Sequence, residues 1–143
     1  MQWNLTSDGF GSVNRICMPS ADQDYEDGEL LTVTGWGLLQ FGANGADVLH
    51  KVDVPFVSNE RCKGFYVDRI DVFEDNVCAG FKEGGRSSCR GDSGGPLMKF
   101  SKSGQAELVG IVSRSDECGK PESPGIYVKA AHYIDWIEEI LCE

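Results

Sequence analysis

Cys89-Arg90-Gly91-Asp92-Ser93-Gly94-Gly95-Pro96-Leu97 places one serine and one aspartate among three glycines within nine residues. A serine becomes a nucleophile when its hydroxyl is exposed, a base can take its proton, and donors wait for the oxyanion it creates. The glycines on both sides of Ser93 let the backbone turn sharply and come close to a bound molecule. Such a turn can aim the N–H groups of Gly91 and Ser93 at one point, as an oxyanion hole would require. Asp92, an acid wedged into the same turn, calls for a cationic partner if it is buried. A glycine-rich turn with an incidental serine would explain four of these residues, but not all nine in this order.

Outward from that turn, apolar runs are short and turn residues frequent. The candidate strands are 30–36, 48–54, 76–80, 96–100, 108–112 and 125–129, bounded by turn signals such as Asn44-Gly45, Gly84-Gly85 and Glu122-Ser123-Pro124-Gly125. Six short strands at this spacing predict a sandwich or a closed barrel. Residues 59–65 read as a short helix or turn. From about 130 to 141 the chain turns amphipathic, with Tyr133, Trp136, Ile137, Ile140 and Leu141 on one stripe, and the expectation is a helix docked on its own domain.

With 143 residues the chain has the size of one domain, and it shows no repeat or low-complexity linker. Its formal charge of −10 argues against a nucleic-acid partner, which needs a cationic surface. No apolar stretch is long enough for a membrane span, so no membrane partner is expected. The first residues, Met1-Gln2-Trp3-Asn4, carry neither the basic nor the apolar region of a signal peptide. Yet six cysteines occur with no short CxxC pair, which reads as disulfides rather than a metal cluster. Disulfides need an oxidising compartment, and the conflict resolves if the natural N-terminus lies upstream of Met1. No metal or cofactor is expected.

The run Gly91-Asp92-Ser93-Gly94-Gly95-Pro96 resembles the nucleophile motif of the trypsin/chymotrypsin-like serine proteases. The resemblance extends along essentially the whole chain, through Ile16-Cys17-Met18-Pro19, Thr34-Gly35-Trp36-Gly37, Asn76-Val77-Cys78-Ala79-Gly80, Leu108-Val109-Gly110-Ile111-Val112-Ser113, Pro124-Gly125-Ile126-Tyr127 and the terminal helix with Trp136. It implies an all-β fold: the antiparallel six-stranded Greek-key barrel that forms the second half of the chymotrypsin-like double barrel, with a C-terminal α-helix. Residues 1–28 would join the barrels, 29–129 form the second barrel, and 130–142 the helix.

By that resemblance Ser93 is the acylated nucleophile of a serine endopeptidase, with the Gly91 and Ser93 N–H groups as oxyanion donors. Asp92 would receive the new α-amino terminus released when a zymogen is cleaved. Ser113 would support the triad aspartate, and its carbonyl would help hold the substrate strand. Ser87 would form the base of the substrate pocket, with Arg90, Arg114, Ser115 and Gly125 around it. An uncharged Ser87 implies uncharged substrate side chains, whereas Arg114 and Ser115 depart from the family's usual tryptophan and glycine. The resemblance also implies disulfides Cys62–Cys78 and Cys89–Cys118, each worth about 3–4 kcal/mol in the chain-entropy model. Cys17 would tether a propeptide or heavy chain, and Cys142 has no assigned partner. Asn4-Leu5-Thr6 is an N-glycosylation sequon, consistent with a secreted, extracellular protein.

The triad's histidine and aspartate should precede the serine. His50 and His132 lack the Ala-His-Cys setting that the family gives its base, so both partners are expected in an N-terminal barrel missing from this chain, which alone would be inactive. The expected partners are protein or peptide substrates, protease inhibitors, and that missing barrel or propeptide. The competing expectation is a non-catalytic homologue that binds or regulates on the same fold.

Overall fold

A computed structural model describes residues 15–40, 42 and 44–141. Six strands form a closed antiparallel barrel: β1 (Leu30–Gly35), β2 (His50–Val57), β3 (Asn76–Ala79), β4 (Pro96–Phe100), β5 (Ala106–Arg114) and β6 (Gly125–Lys129). Around the barrel the order is β1-β2-β3-β6-β5-β4, so each half of the sequence folds as a meander and β4 closes onto β1. Closure leaves no unpaired sheet edge.

Alternation decides which faces point inward. In β1, Leu31 and Val33 are buried while Leu30 is exposed, and the register sets Leu31 opposite Val54 and Val33 opposite Val52. The barrel core gathers Leu31, Val33, Val54, Phe56, Val77, Leu97, Val109 and Tyr127. A second cluster, with Cys62, Tyr66, Cys78 and Ile126, packs beneath α1 (Asn59–Phe65). Gly110 lies where the walls crowd together, because a Cβ there would come within 2.8 Å of the Val128 carbonyl.

Strand β2 begins and ends later than the sequence suggests, running through Pro55. The proline needs no donor there, and its carbonyl accepts from the Gly80 N–H at 2.9 Å. Both expected disulfides are formed: Cys62–Cys78 holds α1 to β3, and Cys89–Cys118 holds the Ser93 loop to the loop after β5. Cys17 forms no disulfide among the described residues, and its backbone pairs with β5 through Cys17 N–H to Ala106 O and Leu108 N–H to Cys17 O. Cys142 and Asn4 lie outside the described residues.

The chain ends in a 3-10 turn (Ala130–Tyr133) followed by α2 (Ile134–Leu141). The expected docking stripe is corrected here. Ala130, Ala131 and Ile134 make the buried contact, whereas Trp136 is 61%, Ile140 55% and Leu141 78% exposed. Tyr133 is anchored by polarity as well, its hydroxyl donating to Asp75 Oδ2 at 2.7 Å. The amphipathic stripe exists, but the described residues of this domain leave most of it uncovered.

Candidate active site

Two consecutive tight turns build the Ser93 loop. The Asp92 N–H donates to the Cys89 carbonyl at 3.0 Å, and the Gly95 N–H donates to the Asp92 carbonyl at 2.8 Å. Gly91 (φ +97°) and Gly94 (φ +80°) take left-handed conformations that side-chain-bearing residues adopt only at a cost. Gly94 N–H to Val112 O and Val112 N–H to Gly95 O then stitch the loop onto β5. Ser93 is left exposed on the rigid barrel.

Asp92 turns the other way, inward. Its Oδ1 accepts the Gly37 N–H at 2.8 Å and its Oδ2 the Cys89 N–H at 2.8 Å. Backbone donors therefore take the place of the cation expected from the sequence, among the described residues. This approach is possible only because Gly35 and Gly37 have no side chains. A Cβ on Gly35 would lie 2.0 Å from Asp92 Oδ1, and one on Gly37 would lie 2.6 Å from the same atom. Beside the carboxylate opens a cavity of about 160 Å³, with Gly35, Gly37, His50, Lys51 and Ser87 in its walls.

A second cavity, of about 260 Å³, holds Ser93 together with Ser88, Arg90, Ser113, Arg114, Ser115 and the Cys89–Cys118 bridge. Of the six residues expected to meet substrate, Arg90, Ser113, Arg114 and Ser115 line this cavity. Ser87 lines the Asp92 cavity instead; its hydroxyl donates to the Ser88 carbonyl at 2.9 Å and accepts from the Gly119 N–H at 2.8 Å. Gly125 is buried, and a Cβ on it would meet the Tyr127 hydroxyl at 2.8 Å. That hydroxyl shares a hydrogen bond with Ser88 Oγ at 3.1 Å. Burial pushes its pKa up to about 12, so it stays a neutral buttress.

On the rim, Asp116 accepts from Lys120 at 3.0 Å and from Arg69 at 2.8 Å. These contacts, Lys120 foremost, hold the Asp116 carboxyl below the usual range. Neither His50 nor His132 lines the Ser93 cavity. The residues that sequence reasoning missed are Gly35, Gly37 and Ser88. The two glycines carried a legible signal, one glycine on either side of Trp36, but nothing in the sequence said that Asp92 would lie against them.

The sequence model of the trypsin family, described as "Trypsin", matches residues 2–137. The chain belongs to the trypsin family. Among curated relatives, the chain is 46% identical to Trypsin-1 of Astacus astacus over 106 residues, covering 74% of this chain and 44% of the relative. It is 37% identical to the Proclotting enzyme of Tachypleus tridentatus over 129 residues, 89% of this chain and 34% of the relative. The Clotting factor G beta subunit of Tachypleus tridentatus is 34% identical over 137 residues, 90% of this chain and 44% of the relative. The trypsin-family chain described here thus spans less than half the length of each of these relatives. Both of the disulfides described belong to the barrel that carries Ser93.

Proposed function

We propose that this chain is the nucleophile-bearing half of a secreted serine endopeptidase made as a zymogen. The observation that carries the reading is the division of labour within one loop: Ser93 faces an open cavity while Asp92, its neighbour, is held inward by two backbone N–H groups. In this account the Ser93 oxygen attacks the substrate carbonyl as a base removes its proton. The Gly91 and Ser93 N–H groups receive the negative charge that develops on the carbonyl oxygen. The proton then passes to the leaving amine, and water releases the acyl group from Ser93.

The base and its orienting aspartate come from a region outside this chain, which matches the greater length of the relatives. Exposed Trp136, Ile140 and Leu141 on α2 offer an apolar face for that region to cover. Activation inserts a new α-amino terminus into the cavity beside Asp92, where the carboxylate gains a cationic partner. Residues 1–28 serve as the inter-barrel segment, consistent with the backbone pairing of Cys17 along β5. Ser87 is the uncharged pocket base, with Ser88 beside it on the wall of the Ser93 cavity, and protein substrates with uncharged side chains at the cleavage site fit that pocket. By itself the chain hydrolyses nothing at a useful rate.

The test uses the complete protein after proteolytic activation. Hydrolysis of a neutral peptide ester is expected, with Ser93→Ala reducing kcat by at least about 10⁴-fold. Equal rates for the two proteins would overturn the assignment, and an intact complete protein without hydrolysis would favour a binding homologue.

A further inference from the structure

Arg114 ends β5 next to Ser113, on the wall of the cavity that holds Ser93. Its guanidinium is fixed in place: Nη2 donates to the Asp71 carbonyl at 2.8 Å and to Asn76 Oδ1 at 3.1 Å, Nη1 lies 3.5 Å from Ser113 Oγ, and the group stands 5.9 Å from the Phe73 ring centre. Every one of these partners is neutral. Among the described residues, no carboxylate pairs with Arg114.

Among the described residues, four charged side chains line the cavity: Arg90, Arg114, Asp116 and Glu117. The two acids are already engaged by cations from outside it. Asp116 pairs with Arg69 at 2.8 Å and with Lys120 at 3.0 Å, and Glu117 pairs with Lys120 at 3.6 Å. Arg114 therefore lends the wall a positive charge that no carboxylate among the described residues neutralises, and its guanidinium keeps N–H groups beyond those bonded to Asp71, Asn76 and Ser113. The molecule as a whole carries −10, which by itself would repel an acidic peptide. At physiological salt that long-range field is screened beyond roughly 8 Å, whereas a contact at hydrogen-bond distance is not. The local charge wins at the cavity wall.

We infer that Arg114 is a specificity residue that receives the carboxylate of an Asp or Glu side chain in the substrate. Arg114 adjoins Ser113, the residue proposed to hold the substrate strand, so that side chain lies within a few positions of the residue whose carbonyl Ser93 attacks. The inference rests on the protease reading and adds a charge preference that an uncharged pocket base does not supply.

The experiment uses the complete, activated protein and a neutral peptide series in which Asp or its isostere Asn occupies, in turn, each of the three positions preceding the cleavage-site residue. Asp is expected to raise kcat/KM over Asn by about fivefold at one of those positions, chiefly through KM, as the upper range of a partly exposed ion pair allows. In Arg114→Gln the Asp/Asn ratio should fall to within twofold of unity, and Arg114→Lys should keep part of it. The wild-type ratio should also shrink in 1 M salt, a readout that needs no variant to fold. Equal rates for Asp and Asn at all three positions, a preference for Asp only at the cleavage-site residue itself, or a preference that survives Arg114→Gln would overturn the inference while leaving the protease reading intact. If the activated protein cleaves none of the peptides, the protease reading fails and this inference falls with it.

Discussion

Replacing Gly35 by alanine adds a single carbon at the point where β1 meets Asp92. That carbon would lie 2.0 Å from Asp92 Oδ1 and 2.8 Å from its Cγ, so both cannot occupy their places. The barrel backbone at Gly35 is locked by its pairing with His50 in β2, and Asp92 is the part that must move. Moving it breaks two hydrogen bonds to the carboxylate, from Gly37 and Cys89, each worth about 1.5–3 kcal/mol. Water in the adjoining cavity recovers part of this; if it recovers half, about 1.5–3 kcal/mol is lost, or roughly ten- to a hundredfold in a rate that depends on the ordered loop. The assay is kcat/KM of the complete, activated protein on a neutral peptide ester, with thermal unfolding measured alongside. Gly64→Ala is the control, because a Cβ there meets nothing within 4 Å. Gly35→Ala folding normally and retaining activity within threefold of wild type would refute the reasoning that Asp92 organises this loop.

Gly64 lies exposed inside α1, so Gly64→Ala should stabilise the protein by about 0.5–1 kcal/mol in denaturant unfolding. The buried Tyr66 hydroxyl donates to the Pro124 carbonyl and lies 3.2 Å from Ser123 Oγ; Tyr66→Phe should cost about 1–3 kcal/mol by the same measurement, because the carbonyl is left unpaired. Cys62→Ser with Cys78→Ser should cost about 2–5 kcal/mol, read as a fall in Tm under non-reducing conditions. Tyr127 gives a pH signature: burial raises its pKa from the ordinary 10.0 to about 12, so its contribution to stability is complete below pH 10 and is lost as pH rises toward 12. Tyr127→Phe should show a shallower decline of Tm over that alkaline range than the wild type.

The strands were legible because barrel alternation writes itself into the sequence, as Leu31 and Val33 in β1 show. The disulfides were legible through family resemblance, since spacing alone leaves several pairings open. Two kinds of feature were not. The first is what covers an apolar face: the periodicity from Tyr133 to Leu141 announces a stripe, but Ile134 and two alanines make the contact and the stripe stays largely exposed. The second is which way a side chain turns on a loop of unusual backbone. Ser87 and Ser88 are neighbours, yet only Ser88 reaches the Ser93 cavity, because the Ser87 hydroxyl is held between the Ser88 carbonyl and the Gly119 N–H. Asp92 likewise satisfies itself on backbone donors that no charge count would have suggested. Its neighbours Gly35 and Gly37 become intelligible only once the carboxylate is seen against them.

The most direct test of the account is covalent: treatment of the complete, activated protein with a fluorophosphonate, followed by peptide mass spectrometry. The account predicts one adduct per molecule, on Ser93, with loss of peptide hydrolysis in proportion to labelling. An activated, folded protein that takes up no label at Ser93, or that hydrolyses peptides while the label sits elsewhere, would contradict it.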